Sequence, residues 1–355
     1  MAEVEAQRIR RYFEQDTPNF RYLRMLGHGA TNVACKVRYR HRWWRYNVPG
    51  QNFVVKRPFR DVKERDMLGE FRALEMFEGS MHIIQAATLP QGVRNPIDNA
   101  PGPTVLMECL EGGSVWRVVK KRQAQSPVEE LPNRMLWRML LCLVRVCIGM
   151  AYPRPSKVPH LETFPVSEVE RRNPADWQHG DMHTGNILFG DFEPTLDEHG
   201  LTPILKAIDL ERCRPIDEMS RQSSHNRWFG VEENLHSAGM AIRHMIVVNA
   251  IDTKRHVLPP TRARSFESWA VLDQDSWPHL DRDLADLLSE LGAQEGEDRP
   301  YLRDVFERVV AGCSRTAAFY AQYPRGDIET DEHITALCRQ LILEPDISDN
   351  RVEED

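Results

Sequence analysis

The chain has no hydrophobic run long enough to cross a bilayer. The longest, Met139 to Ala151, is interrupted by Arg145, whereas a spanning helix needs about 20 apolar residues, so a buried core helix is expected there. Paired-cysteine spacing is missing too. The seven cysteines contain no Cys-x-x-Cys, which argues against a disulfide framework and for a reducing, cytoplasmic compartment. Met1 to Asp16 alternates acids and bases and shows no apolar leader core. Nor is there an excess of positive charge. The 46 basic residues face 53 acidic ones, a net charge of −7, which argues against a nucleic-acid binder driven by bulk electrostatics. No internal repeat is visible, so a repeat architecture is not expected.

What is present is a chain of 355 residues with 41% hydrophobic content, enough for one large two-lobed domain or two modest ones. The pattern predicts an α+β organisation. An amphipathic lead-in helix in 1–20 precedes strand, glycine turn and strand from Tyr22 to Val37. A basic aromatic loop from Arg38 to Tyr46 follows, then a strand at Phe53 to Lys56 and a helix from Asp61 to Gly79, with Phe71, Leu74 and Phe77 at helical spacing. A strand is expected near Ile83-Ile84, an irregular loop over 90–103, and a strand from Thr104 to Glu108 broken at Gly112-Gly113. Beyond it the chain reads as mostly helical: 131–152, 234–249, 281–292 and 299–312. A proline-rich insertion is expected at 153–176 and an acidic tail over 326–355.

The run His179-Gly180-Asp181-Met182-His183-Thr184-Gly185-Asn186 carries the most chemistry. A carboxylate precedes a carboxamide by five residues, and a second carboxylate, Asp209, ends a separate apolar strand. Phosphoryl transfer needs an oxygen base to orient a hydroxyl, plus oxygen ligands that hold Mg²⁺ against phosphates. Upstream, Gly27-His28-Gly29 lies between two strands and can bring backbone amides close to an anion. Lys56 ends the next strand, and the helix that follows offers Glu70 as its anion, with Glu64 and Glu75 as rivals.

Taken in order, these segments resemble the protein-kinase-like superfamily over most of the chain. The resemblance implies a two-lobed fold: a small antiparallel β lobe (21–107), a hinge (108–113) and a larger, mainly helical lobe (114–325). It implies ATP and Mg²⁺ as cofactors. Gly27, Gly29 and Lys56 would contact the phosphates, Glu70 would hold Lys56, and Met107, Glu108 and Leu110 would border the adenine. Asn186 and Asp209 would bind the metal. Asp181 would act on the acceptor hydroxyl with His183 beside it, and His179 would be a packed structural residue. Asn234-Leu235-His236-Ser237-Ala238-Gly239 resembles the family's central buried helix, and Asp298-Arg299-Pro300 its late Arg-Pro turn.

Some positions depart from ordinary protein kinases. Asn32 stands at the third glycine, Asn234 where an aspartate is usual, and Gly180 where many have arginine. Gly180 leaves no arginine there to dock a phosphate, so phosphorylation at Ser220, Ser223 or Ser224 is not expected to be needed. The His-Gly-Asp-x-His pattern is similar to small-molecule kinases of the aminoglycoside and choline type, and the whole looks most like the fungal-type protein-kinase-like domains. The expected function is Mg²⁺-ATP-dependent phosphoryl transfer to a small-molecule or specialised acceptor, with the 153–176 insertion as a lid. The rivals are a pseudokinase that binds a partner, a protein Ser/Thr kinase, and a kinase-fold enzyme doing other ATP-dependent chemistry. A zinc site built from His179, Asp181 and His183 is a further alternative. Arg38 to Tyr46 also admits stacking on nucleic acid, although a partner-binding or solvated surface is the plainer reading.

Overall fold

Four strands and two helices occupy the first third of the chain, and the described residues beyond it are mostly helical or irregular. The computed structural model describes every residue except 16, 18, 41–50, 60–63, 101, 166–172, 217–227, 249–255, 259–264 and 344–355, and describes 64–68 and 256–258 by backbone alone. Helix α1 (Ala2–Gln15) buries Ala6, Ile9 and Phe13, which share one face at helical spacing. Strands β1 (Phe20–His28), β2 (Asn32–Tyr39) and β3 (Asn52–Pro58) follow, then α2 (Glu64–Met76) and β4 (Val105–Glu108). The four strands form one antiparallel sheet in the order β1-β2-β3-β4. Alternation along β2 places Val33, Cys35 and Val37 in the core, where they meet Ile9 and Phe13 of α1 and Phe53 and Val55 of β3.

The larger core is helical. Its centre is α4 (Asn133–Ala151), preceded by α3 (Val115–Gln123). Nearly every residue of α4 is buried, including Arg145, so the longest apolar run is a core helix. Four short strands come next: β5 (Trp177–Gln178), β6 (Ile187–Phe189), β7 (Leu205–Ala207) and β8 (Arg214–Pro215). β5 pairs with β8 and β6 with β7, both antiparallel. Helix α5 (Phe229–Ile246) packs on α4, and β9 (His256–Leu258) pairs with β10 (Phe266–Ser268). Helices α6 (Arg282–Leu291), α7 (Leu302–Cys313), α8 (Ala317–Tyr320) and α9 (Asp331–Cys338) complete the fold. Among the described residues no helix is long and apolar enough to cross a membrane.

Three sequence expectations are corrected. Ile83-Ile84 is not a strand: Ile83 makes a single parallel bridge to Ala207. Residues 326–343 are not an acidic tail. Ile328, Ile334, Leu337, Leu341 and Ile342 are buried, because helical spacing of the apolar residues outweighs the net acidity of the segment. Only 344–355 of that stretch lies outside the described residues. The insertion does not form a lid in its described part. Ser156 N–H donates to Glu78 O and His160 N–H to Gly79 O, each at 2.8 Å, and Glu162 is buried. None of its described residues lines the cleft.

Candidate active site

A cleft of about 860 Å³ lies between the sheet and the helical body, a size ordinary for a small-ligand site. Its wall comprises the β1–β2 turn, β3, α2, the segment after β4, and the two loops that flank β6 and β7. Gly27, Gly29, Lys56, Glu70, Met107, Glu108, Leu110, Asp181, His183, Asn186 and Asp209 all line it. Every site residue nominated from sequence therefore reaches one cavity.

Lys56 is the electrostatic centre. Its Nζ lies 2.8 Å from Glu70 Oε1 and 2.6 Å from Asp209 Oδ1. Burial alone would lower the ammonium pKa, but the two carboxylates outweigh it and raise the value. Glu70 is fully buried on α2. Its rival Glu75 is exposed, and the side chain of Glu64 lies outside the described residues. Helical spacing chose correctly, since Glu70 shares its face with Ala73, Leu74 and Phe77.

The 179–186 loop is fixed mainly by backbone contacts. His179 N–H donates to Asn234 Oδ1 at 3.0 Å, and Asn234 Nδ2 donates to Trp177 O at 2.8 Å. The buried His179 ring donates from Nε2 to Ile208 O at 3.0 Å and accepts at Nδ1 from Asp181 N–H at 3.3 Å. Both ring nitrogens are thus engaged, which removes the zinc alternative built on His179, Asp181 and His183. Gly180 has φ +77°, and a Cβ there would meet Arg212 O at 2.8 Å. The turn before β8 presses against this position, so no side chain fits. An arginine still reaches the aspartate, from elsewhere: Arg212 Nη1 lies 3.7 Å from Asp181 Oδ1. Ser220, Ser223 and Ser224 fall outside the described residues.

Asn186 Nδ2 donates to Asp181 O at 3.0 Å, with Asp181 Oδ2 at 3.4 Å. Two acceptors on that side fix the amide orientation. No described residue donates to the opposite atom, Asn186 Oδ1. Asp209 adopts φ 62° and ψ 69°, a left-handed conformation that costs an ordinary residue about 1–2 kcal/mol. The bond to Lys56 and the packing of α2 on the Leu210–Arg212 turn hold it there. His183 is more exposed, with Nε2 4.0 Å from Asp181 Oδ1.

After β4 the chain crosses the far end of the cleft. Lys206 Nζ pins the Glu108 carboxylate at 2.8 and 2.9 Å. Among the described residues no backbone hydrogen bond is made by Cys109 or Leu110. Sequence reasoning missed several neighbours here. Lys36 Nζ donates to Glu111 Oε2 at 2.9 Å and Asn52 Nδ2 to Oε1 at 2.8 Å. Burial pushes Glu111 upward, yet these donors hold it below its ordinary value. Leu343 also lines the cleft, because the residues after α9 return to Gly112, where a Cβ would meet Ile342 Cγ2 at 3.1 Å.

The other missed contact is a latch. Glu211 accepts from Thr31 Oγ1 at 2.5 Å through Oε1 and from Asn32 Nδ2 at 2.6 Å through Oε2. Asn32, which looked like a lost glycine, thus ties the β1–β2 turn to the floor of the cleft. Glu211→Ala is expected to raise amide hydrogen exchange in residues 27–32 by about tenfold, the scale of one hydrogen bond to a charged group. Unchanged protection would show that the latch does not hold the turn.

No protein-family model matches the chain, and no curated protein matches it either.

Proposed function

We propose that this cleft binds Mg²⁺-ATP and transfers the terminal phosphoryl group to a hydroxyl of a small-molecule or specialised acceptor, on a two-lobed protein-kinase-like fold. The observation that carries the reading is Lys56 held between Glu70 and Asp209, in one cavity with Asp181 and Asn186. The donor set fits the cofactor. A paired cation suits the α- and β-phosphates, and the Asn186 amide oxygen and the Asp209 carboxylate suit hard Mg²⁺. Mg²⁺-ATP supplies an activated phosphoryl group whose negative charge is partly neutralised. Glu70 keeps Lys56 extended into the cleft. The glycine turn offers backbone amides to phosphate oxygens. Asp181 orients the acceptor hydroxyl and takes its proton, with Arg212 supplying positive charge nearby. Cys109 and Leu110 offer backbone groups to a purine edge.

The stretch from Asp209 to Asn234 is short and has no Ala-Pro-Glu turn, so an extended peptide has little backbone to lie on. A protein Ser/Thr acceptor and other ATP-dependent chemistry in this cleft are the competing expectations.

One observation favours a second reading, a partner-binding module without catalysis: the latch joins turn and floor across the cleft. Metal dependence separates the two. Asn186 and Asp209 together carry too little charge to retain Mg²⁺ without phosphates. Calorimetry is therefore expected to show ATP affinity falling by about tenfold or more in EDTA, and likewise in Asp209→Asn. Equally tight binding without metal would favour the non-catalytic reading.

A further inference from the structure

A second constellation lies in the helical core, away from the cleft. His82 follows α2, Cys142 sits in the middle of α4, and His199 lies in the loop before β7. All three are fully buried, and one ligand-type atom from each lies within 4.8 Å of the others. None of them lines the cleft. The separation in sequence, 117 residues between the two histidines, hides the cluster from any motif search.

A buried carboxylate orients His82. Glu162, buried, accepts at Oε2 from His82 Nδ1 at 2.7 Å and at Oε1 from His82 N–H at 2.8 Å. With Nδ1–H committed to the carboxylate, the lone pair of His82 Nε2 points into the cluster. A carboxylate behind an imidazole is the usual support for a metal-ligating histidine. The two Nε2 atoms lie 3.1 Å apart, close to the edge of about 3.4 Å that two Zn–N bonds of about 2.0–2.1 Å subtend in a tetrahedron. Two imidazoles and a thiolate form a borderline-soft donor set that suits zinc. Two hydroxyls beside the cluster in sequence, Ser80 Oγ and Thr202 Oγ1, are buried and have no partner among the described residues.

A metal-free chain competes: the Cys142 thiol to His199 Nδ1, His199 Nε2–H to His82 Nε2, and His82 Nδ1–H to Glu162. Its first link is long, at 3.8 Å, and it buries four polar groups where apolar ones would pack without penalty.

We propose that His82, Cys142 and His199 bind a zinc ion through three protein ligands, with Glu162 holding His82 in place behind it. The ion joins three segments, the turn after α2, α4 and the loop before β7, and the 153–165 stretch is tied to them through the Glu162 bond to His82. It also bears on the cleft at one remove. Ala207 N–H donates to His82 O and Ile84 N–H to Ala207 O, each at 2.9 Å, and Ala207 is two residues from Asp209.

Elemental analysis of the purified full-length protein, after exhaustive dialysis, is the direct test. About one zinc per chain is expected, falling below about a tenth in Cys142→Ser and in His199→Ala. Glu162→Gln is expected to keep the ion but weaken it by about 10–100-fold in competition with a chelating dye. Should the ligand variants fail to fold, cobalt(II) reconstitution of the unmodified protein takes their place. It is expected to give a thiolate-to-cobalt charge-transfer band, with tetrahedral visible absorption. A folded, reduced protein that takes up neither zinc nor cobalt would overturn the proposal, as would full zinc retention by folded Cys142→Ser. These readouts do not involve ATP, so the two proposals stand or fall separately.

Discussion

Asp181→Asn is expected to lower phosphoryl transfer by about 10²–10⁴-fold, the usual contribution of a positioned acid–base group, and to leave ATP affinity within about twofold. The change is confined to one oxygen. The loop is held through the backbone of Asp181, whose carbonyl accepts from Asn186 Nδ2 and whose N–H donates to His179. Neither contact needs the carboxylate. Lys56, Glu70 and Asp209, which would meet the nucleotide, touch one another rather than Asp181. On the proposed mechanism, what asparagine removes is the base that takes the proton of the acceptor. The measurement is turnover with γ-labelled ATP against a metabolite pool, paired with calorimetry for binding. Undiminished turnover would take Asp181 out of the mechanism, and lost binding would mean that the residue positions the nucleotide. Strong turnover of a degenerate Ser/Thr peptide library instead of metabolites would reverse the acceptor assignment.

The α+β architecture and the site were legible where local pattern and chain order carry information. Alternation in β2 and β3, helical spacing around Glu70, and the five-residue step from Asp181 to Asn186 survive in the sequence because each is set within one element. What escaped was long-range pairing. Glu211 meets Thr31 across 180 residues, and no local rule links an acid to a turn so far away. The same holds for His82, Cys142 and His199. Gly180 was visible as a departure, but its cause, the Arg212 carbonyl, belongs to a turn that is distant in sequence. Residues 326–343 were misread because net charge was weighed above the spacing of Ile334, Leu337 and Leu341. Residues 41–50 of the basic loop lie outside the described residues, so its nucleic-acid and partner-binding readings stand as sequence expectations.

Acid should loosen the Asp181 loop through His179. The ring is fully buried, and its two nitrogens face opposite demands. Nε2–H serves Ile208 O, while Nδ1 must stay unprotonated to accept from Asp181 N–H. A proton on Nδ1 would point at a donor. Burial accordingly lowers the pKa from 6.5 to about 4, against the opposing pull of the Ile208 carbonyl and of Asp209 and Asp181. A folded-state value below the unfolded one means that the unfolded chain binds the extra proton first. The stabilisation is therefore complete above about pH 6.5 and is lost progressively as pH falls toward about 4, to a total of about 3 kcal/mol. His179→Gln keeps an amide donor for Ile208 O and cannot titrate. That variant is expected to be less stable at neutral pH, yet to lose about 2–3 kcal/mol less than the parent across this window, as read by urea denaturation at a series of pH values. Comparing the two slopes cancels the other groups that titrate in the same range, because they are common to both proteins. Parallel slopes would mean that the ring is not what makes the fold acid-sensitive, and that the Nδ1 contact to Asp181 tolerates a proton.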